Sequence, residues 1–105
     1  MKLILAIVSD EDSAKVTGAL SENGFYATKL ATTGGFLKSG NVTLLIGVED
    51  SLVENVIDII RSKSKKRKKY TSTAVPSGEP SQYPMEVEVG GGTVFVLNID
   101  KFEKV

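Results

Sequence analysis

The chain has 105 residues, of which 41% are hydrophobic and 25% are charged, and its formal net charge is zero. These values are typical of one small globular domain, and no apolar segment approaches the ~20 residues that a membrane-spanning helix needs. The sequence contains no cysteine and no histidine, which excludes disulfides, most zinc sites and histidine-based catalysis. We therefore expect a single cytoplasmic domain over residues 1–105 that is not an enzyme.

The N-terminal part of the chain predicts a strand followed by a helix. Residues 2–8 form a nearly continuous apolar run, which is typical of a strand buried on both faces of a sheet. Ser9 and Asp10 follow as candidate helix caps, and acidic side chains there suit the positive end of the helix dipole. Gly24 then supplies the residue at which we expect the helix to stop.

Two further strands are predicted at residues 25–32 and 41–48, joined by a polar connection. The string ATKLATTGGFLKSGN at residues 27–41 holds four Ser or Thr, three Gly and two Lys beside one Phe. The connection is longer than a tight hairpin turn, and connections of this length are often functional. Its residue types fit two interpretations, a plain hairpin loop or a site for a phosphorylated ligand.

The second helix is the most regular element that the sequence predicts. Asp50 is its expected cap. The apolar residues that follow recur at helical spacing along one face: Leu52, Val53, Val56, Ile57 and Ile60. Seven of the thirteen basic residues then fall between Arg61 and Lys69. We interpret this run as a solvated helix end with a loop, because it lacks the interleaved aromatic residues of a nucleic-acid surface.

The C-terminal third predicts short strands separated by proline and glycine. Residues 70–75 predict a short strand, and residues 76–84, which contain all three prolines, predict a loop. Residues 85–89 and 93–99 predict two strands on either side of a run of three glycines. The fold class is therefore α+β, with a ferredoxin-like β-α-β-β-α-β order and an extra C-terminal hairpin.

Several groups in the string at residues 27–41 suit a nucleotide. Its glycines let main-chain N–H groups approach an anion, Thr28 offers a hydroxyl and the lysines add positive charge. Phe36 offers a face on which a base can stack, and the Asn41 amide matches an adenine edge. Neither a P-loop nor a dinucleotide fingerprint is present. From these residues alone a plain hairpin loop remains the simpler interpretation.

A resemblance to a known family favours the ligand site. The string ATKLATTGGFLKSGN, together with MKLILAIVSDEDS at the start and PMEVEVGGGTVFVLNIDKF near the end, closely resembles the PstA-like (DarA-like) cyclic-di-AMP receptors. These are PII-like signalling proteins. The resemblance implies a PII-like domain that forms a homotrimer and binds cyclic-di-AMP in the clefts between neighbouring subunits. It implies no enzymatic activity.

The resemblance also implies which residues contact the ligand. Thr28 matches a position at the phosphates, and Asn41 matches the position that reads an adenine, aided by the main chain of Gly47. We call the connection at residues 32–40 the glycine loop. The other implied contacts lie in the same strand as Thr28, in the glycine loop and in the later glycine run: Ala27, Lys29, Gly35, Phe36, Leu37, Gly91 and Gly92. No catalytic residue, metal ion or cofactor is implied besides the ligand itself.

Two features depart from the family pattern. Tyr26 stands where family members commonly have a phosphate-facing arginine, and Gly24 stands where they have an asparagine. A charge-assisted phosphate contact is worth ~1.5–3 kcal/mol, so its loss predicts about tenfold or more weaker binding unless Lys29, Lys38 or the basic run compensates. Residues 64–84 are also richer in lysine than the family usually is.

The mechanism that the resemblance implies is that of a sensor. Ligand binding between two subunits orders residues 64–84 or the glycine loop, and so changes the surface shown to a downstream protein that the sequence does not name. Two alternatives stay open: a PII-like regulator of another nucleotide such as ATP or cyclic-di-GMP, and a protein-interaction module without a small ligand. We expect no nucleic-acid partner and no membrane span.

Overall fold

The computed structural model describes residues 1–30, 40–71 and 85–105, with only the backbone described at residues 69–71 and 85–89. In chain order the elements are β1 Lys2–Ser9, α1 Asp10–Glu22, β2 Ala27–Leu30, β3 Asn41–Val48, a 3-10 turn Asp50–Leu52, α2 Val53–Lys63, β4 Arg67–Thr71, β5 Met85–Val89 and β6 Gly92–Asn98. Four strands form one antiparallel sheet in the order β2-β3-β1-β6, and β4 and β5 pair separately. This α+β arrangement is compatible with the predicted ferredoxin-like fold.

One face of the four-stranded sheet packs against both helices. The even-numbered residues of β1 and β3 point to this face, because side chains alternate along a strand. The buried core joins them to the apolar stripes of the two helices: Ile4, Ala6, Val8, Val42, Leu44, Ile46 and Val48 from the sheet, and Val16, Leu20, Val56 and Ile60 from α1 and α2. Each such aliphatic side chain contributes about 1.5–3 kcal/mol when it is buried. We call this side the packed face.

On the opposite side, which we call the open face, none of the described elements covers the sheet. Leu3, Leu5 and Ile7 of β1 are only half-buried there, and Phe95 of β6 is 52% exposed. The prediction that β1 is buried on both faces is therefore wrong for the described parts of a single chain. The two helices pack on one side of the sheet, so the apolar residues of the other side keep contact with water.

The caps predicted for the two helices have different outcomes. Ser9 caps α1 as predicted, since its Oγ accepts a hydrogen bond from the Asp12 N–H at 3.3 Å. The prediction that Asp50 caps α2 is wrong, because Asp50 begins the 3-10 turn and pairs with the amine of Met1 at 2.8 Å. The hydrogen bond from that amine holds the pKa of Asp50 below its ordinary value.

Two predictions for the C-terminal half need correction. The basic run at residues 61–69 was expected to be a helix end with a loop, which holds for residues 61–66, but β4 begins at Arg67 and includes the rest of the run. The extra hairpin was expected at the C-terminus, but it is formed by β4 and β5 and precedes the last strand of the main sheet. Gly90 and Gly91, which have positive φ values, link β5 to β6 and carry the chain from one sheet to the other.

Candidate functional site

Three of the implied ligand contacts meet at one end of the main sheet. Ser9 at the end of β1 pairs with Asn41 at the start of β3, and Val8 pairs with Gly92 at the start of β6. As a result, Asn41, Gly91 and Gly92 line one cavity of about 290 Å³, together with Ser9. We call this space the glycine cavity.

One side of the glycine cavity is bare main chain, formed by residues 90–92, which we call the glycine wall. Gly90 and Gly91 have φ values of +85° and +79°, a conformation that favours glycine. A Cβ atom at Gly92 would lie 3.0 Å from the main-chain oxygen of Ile7, so β6 approaches β1 too closely for most side chains. The Gly91 N–H donates a hydrogen bond to the carbonyl of Ser64. The polar atoms of a ligand can therefore approach this main chain closely.

Two other implied contacts, Thr28 and Gly47, lie toward the opposite end of β3. Thr28 pairs with Leu45, and Gly47 pairs with Leu3 of β1. Both line a second cavity of about 680 Å³. We call it the tyrosine cavity, because Tyr26 also contributes to its lining.

Both residues that depart from the family pattern, Gly24 and Tyr26, line the tyrosine cavity. Tyr26 is 81% exposed and lies two residues before Thr28, so the two side chains point to the same side of the chain. The Tyr26 hydroxyl can hydrogen-bond to a phosphate, but it lacks the positive charge and the paired donors of a guanidinium. Tyr26, which occupies the position of the expected arginine, therefore lies beside Thr28. An arginine and a threonine that bind the same phosphate would have to be neighbours in this way.

Two implied contacts point away from the tyrosine cavity. Ala27 and Lys29 alternate with Thr28 and so face the packed side of the sheet. Ala27 is half-buried against the core, whereas Lys29 is exposed. The Ala27 methyl group points away from the open face, so only the main chain of Ala27 can contact a ligand on that face. Three further implied contacts lie outside the described residues: Gly35, Phe36 and Leu37.

The glycine cavity and the tyrosine cavity lie at opposite ends of the sheet. Asn41 and Gly47 begin and nearly end β3, and their separation of six residues corresponds to about 20 Å at ~3.3 Å per residue. Both are odd-numbered residues of β3 and belong to the open face. Asn41 in one group and Thr28 and Gly47 in the other thus lie on the same face of the sheet, toward its opposite ends.

A third cavity, of about 570 Å³, lies between α2 and β6 on the other side of the glycine wall. Gly91 and Gly92 line it as well as the glycine cavity. The rest of its lining combines apolar side chains with basic and hydroxyl ones: Ile57, Ile60, Val94, Arg61, Lys65, Lys66 and Ser64. Part of the basic run therefore lies next to residues that the resemblance places at the ligand.

A half-buried ion pair that was not predicted from the sequence lies beside the glycine cavity. Arg67 Nη2 lies 2.8 Å from Asp12 Oδ1, and Arg67 Nη1 lies 3.3 Å from Asp12 Oδ2. The Asp12 side chain is fully buried. The hydrogen bond from Arg67 holds the pKa of the Asp12 carboxyl below its ordinary value, against the opposing effect of burial. The sequence shows acidic residues at the start of α1 and a basic run after α2. Asp12 and Arg67 are 55 residues apart, however, and no local pattern indicates that these two residues pair.

The described cavities offer hydrogen bonding by an amide, hydroxyls and main-chain N–H groups, together with lysine charge. Within the described ranges no group of three or more His, Cys, Asp or Glu side chains is placed to hold a metal ion. Of the helices described, neither is long and apolar enough to cross a membrane.

Comparison with known proteins supports the resemblance seen in the sequence. The crystal structure of a functionally unknown protein from Pediococcus pentosaceus ATCC 25745 is similar to this one, with a TM-score of 0.77 and 41% identity over 99% of this chain and 96% of that one. The family profile described as cyclic-di-AMP receptor matches residues 1–105. Because this match spans the whole chain, the protein belongs to the cyclic-di-AMP receptor family.

Proposed function

We propose that this cyclic-di-AMP-binding signalling protein assembles as a homotrimer and binds its ligand in the clefts between adjacent subunits. The observation that carries the proposal is the separation of about 20 Å along β3 between Asn41, which lines the glycine cavity, and Gly47, which lines the tyrosine cavity. A compact cyclic dinucleotide contacts both groups where the glycine cavity of one subunit lies against the tyrosine cavity of the next. Head-to-tail contacts of this kind can close into a ring.

The apolar character of the open face supports the assembly. Phe95 is 52% exposed, Leu97 46% and Leu30 39%. Leu5 of β1 lies between Phe95 of β6 and Leu45 of β3, so these side chains form one continuous row. Contiguous exposed apolar surface on a small domain commonly marks an interface. Burial of this face among three subunits also accounts for the apolar pattern on both sides of β1.

The chemistry of the two groups suits the two parts of the ligand. The Asn41 amide both donates and accepts, which matches an adenine edge. The Thr28 hydroxyl is a donor for the phosphates, and the glycine wall, which has no side chains, lets the ligand approach its main chain closely. Phe36 supplies a face on which a base stacks. The ligand is held by hydrogen bonds and stacking, and no step of catalysis is proposed.

The signal is a change of surface. A ligand shifts a protein between two conformations only through its different affinity for them. Cyclic-di-AMP bound between subunits touches the start of β3, which the glycine loop precedes in the chain. It also touches the glycine wall, where the Gly91 N–H is bonded to Ser64 at the start of the segment at residues 64–84. Binding changes the arrangement of one or both segments, and a downstream protein recognises the result.

Calorimetry and light scattering on the same sample test the proposal. We expect a mass of three 11.2-kDa chains, one cyclic-di-AMP per chain, and weaker or no heat with ATP or cyclic-di-GMP. Asn41→Ala should raise the Kd by about tenfold or more, because a hydrogen bond to a base is lost. Asn55→Ala, the same change on the exposed side of α2, is the matched control and should bind normally. If the protein is a monomer and still binds one cyclic-di-AMP per chain, the ligand site does not lie between subunits.

A further inference from the structure

We propose that the Asp12–Arg67 ion pair is a positioning element of the cyclic-di-AMP site, which holds the glycine wall and Asn41 on either side of the glycine cavity. This inference rests on the function proposed above. The described lining of the glycine cavity includes the neighbours Ser9 and Lys66 but neither partner of the pair. The pair therefore acts on the ligand through other residues.

The pair has the geometry of a strong, specific contact. Both carboxylate oxygens of Asp12 face the guanidinium of Arg67, at 2.8 Å and 3.3 Å. Ser9 Oγ donates a further hydrogen bond to Asp12 Oδ2 at 3.0 Å, and the Glu11 carboxylate lies 3.8 Å from Arg67 Nη2. Two parallel hydrogen bonds fix orientation as well as distance. A fully buried carboxylate is costly without a partner, so the arrangement is strongly maintained.

On one side, Arg67 holds the glycine wall. Arg67 Nη1 also donates to the carbonyl oxygen of Lys65 at 3.2 Å. A Cβ atom at Gly90 would collide with that same oxygen and would lie 2.8 Å from Arg67 Nη1. The next residue, Gly91, is bonded through its N–H to the carbonyl of Ser64. The start of β4 and the glycine wall are thus packed against each other around the guanidinium.

On the other side, Asp12 belongs to the helix turn that holds Asn41. The Asp10 N–H, in the same first turn of α1, donates to the carbonyl of Gly40 at 2.6 Å. Ser9, which binds the Asp12 carboxylate, pairs with Asn41 across β1 and β3. The ion pair therefore joins the two segments that bring Asn41 and the glycine wall to one cavity.

Two other roles for the pair predict different behaviour. If Arg67 bound phosphate directly, its charge would be available to the ligand, but it is already paired with Asp12 and lies 3.8 Å from Glu11. If the pair only stabilised the fold, its loss would weaken all parts of the chain together. A positioning role predicts local loosening at the glycine cavity and a loss of affinity beyond any change in stability.

Amide hydrogen exchange measures the local effect without ligand. In Asp12→Asn and in Arg67→Gln, we expect the amides of Gly91 and Asp10 to exchange about tenfold faster or more, while amides in the middle of β1 and β3 change much less. Asp58→Asn is the matched control, because it removes the Asp58–Arg61 pair, whose side chains are 66% and 67% exposed, from the surface of α2. Equal acceleration throughout the chain, or none at Gly91 and Asp10, overturns the inference.

Calorimetry with cyclic-di-AMP measures the effect on the site. Both variants should bind about tenfold more weakly or worse, and the double variant should be no weaker than the weaker single one, since the two residues act as a unit. Arg67→Lys keeps the charge without the paired donors and should fall between Arg67→Gln and wild type. Normal affinity in Arg67→Gln contradicts the inference. If wild type itself binds no cyclic-di-AMP, the proposed function fails, and the exchange result alone decides whether the pair holds the cavity.

Discussion

The two faces of the main sheet are built from the same kinds of residue but differ in burial. On the packed face, Ile4 and Ile46 are completely buried beneath α1 and α2. On the open face, their neighbours Leu5 and Leu45 are half-buried and Phe95 is exposed. The difference indicates separate tasks, since the packed face stabilises the subunit and the open face is available for assembly and ligand binding. Matched substitutions on the two faces test this division.

The largest effect is expected on the packed face. Ile46→Ala should lower the free energy of unfolding by about 2–5 kcal/mol, because it removes buried methylene groups and leaves a cavity. Urea denaturation measures the change. Leu45→Ala, one residue away on the open face, is the matched comparison. Its loss of stability should grow with protein concentration, because it acts through assembly. A concentration-independent loss in Leu45→Ala would remove the distinction between the faces.

A charge on the open face should dissociate the trimer. Phe95→Asp places a carboxylate where we expect an aromatic side chain to be buried, and loss of that burial alone is worth about 1.5–3 kcal/mol. We expect at least about tenfold weaker association, measured by sedimentation at several concentrations. Val96→Asp alters the next residue of β6, which is 45% exposed but points to the other face. Equal dissociation by both variants speaks against assembly through the open face.

Restoring an arginine in the tyrosine cavity should strengthen binding. Tyr26→Arg adds a charged donor beside Thr28, and we expect the Kd for cyclic-di-AMP to fall by about tenfold. The gain should shrink as salt concentration rises, because the new contact is electrostatic. Asn55→Arg adds the same charge on α2, away from the cavity, and should change affinity much less. An equal gain in both variants would indicate a general effect of charge.

The smallest effect concerns acid stability. Since Arg67 lowers the folded-state pKa of Asp12 below its ordinary value of 3.8, the ionised carboxylate stabilises the fold above that value, and the contribution is lost as the pH falls through the lowered pKa. The difference in Tm between wild type and Asp12→Asn should therefore be full near neutral pH and disappear in strong acid. A difference that stays constant over the whole range would show that the carboxylate charge does not cause it.

Local patterns in the sequence predicted most of the secondary structure. The apolar run at Asn41–Val48 gave β3 with its observed bounds, and Ser9 was placed correctly as the cap of α1. These elements depend on residues that are close in the sequence. The separation of about 20 Å between Asn41 and Gly47, which the resemblance assigns to one adenine, was not among these predictions.

Features that depend on distant residues could not be predicted in this way. The pairing of β6 with β1, far away in the sequence, follows a turn at Gly90 and Gly91 by which the chain leaves β5 and rejoins the main sheet. The pairing of Asp12 with Arg67 depends on where the end of α2 meets the start of α1. Hydrophobic periodicity predicts neither the strand pairing nor the ion pair, because it indicates which side of an element is buried and not which other element covers that side. The tyrosine cavity could not be predicted either, because its lining depends on the register of β1, β2 and β3.

The distance between Asn41 and Thr28 along the open face has a consequence for mixtures of subunits. If each cleft takes one half from each of two neighbours, chains with Asn41→Ala and chains with Thr28→Val carry defects in different halves. Random reassembly of equal amounts would then give about a quarter of the clefts two intact halves. Two preparations that each bind poorly should thus recover part of their binding capacity when they are unfolded and refolded together, which a site contained in one chain cannot do.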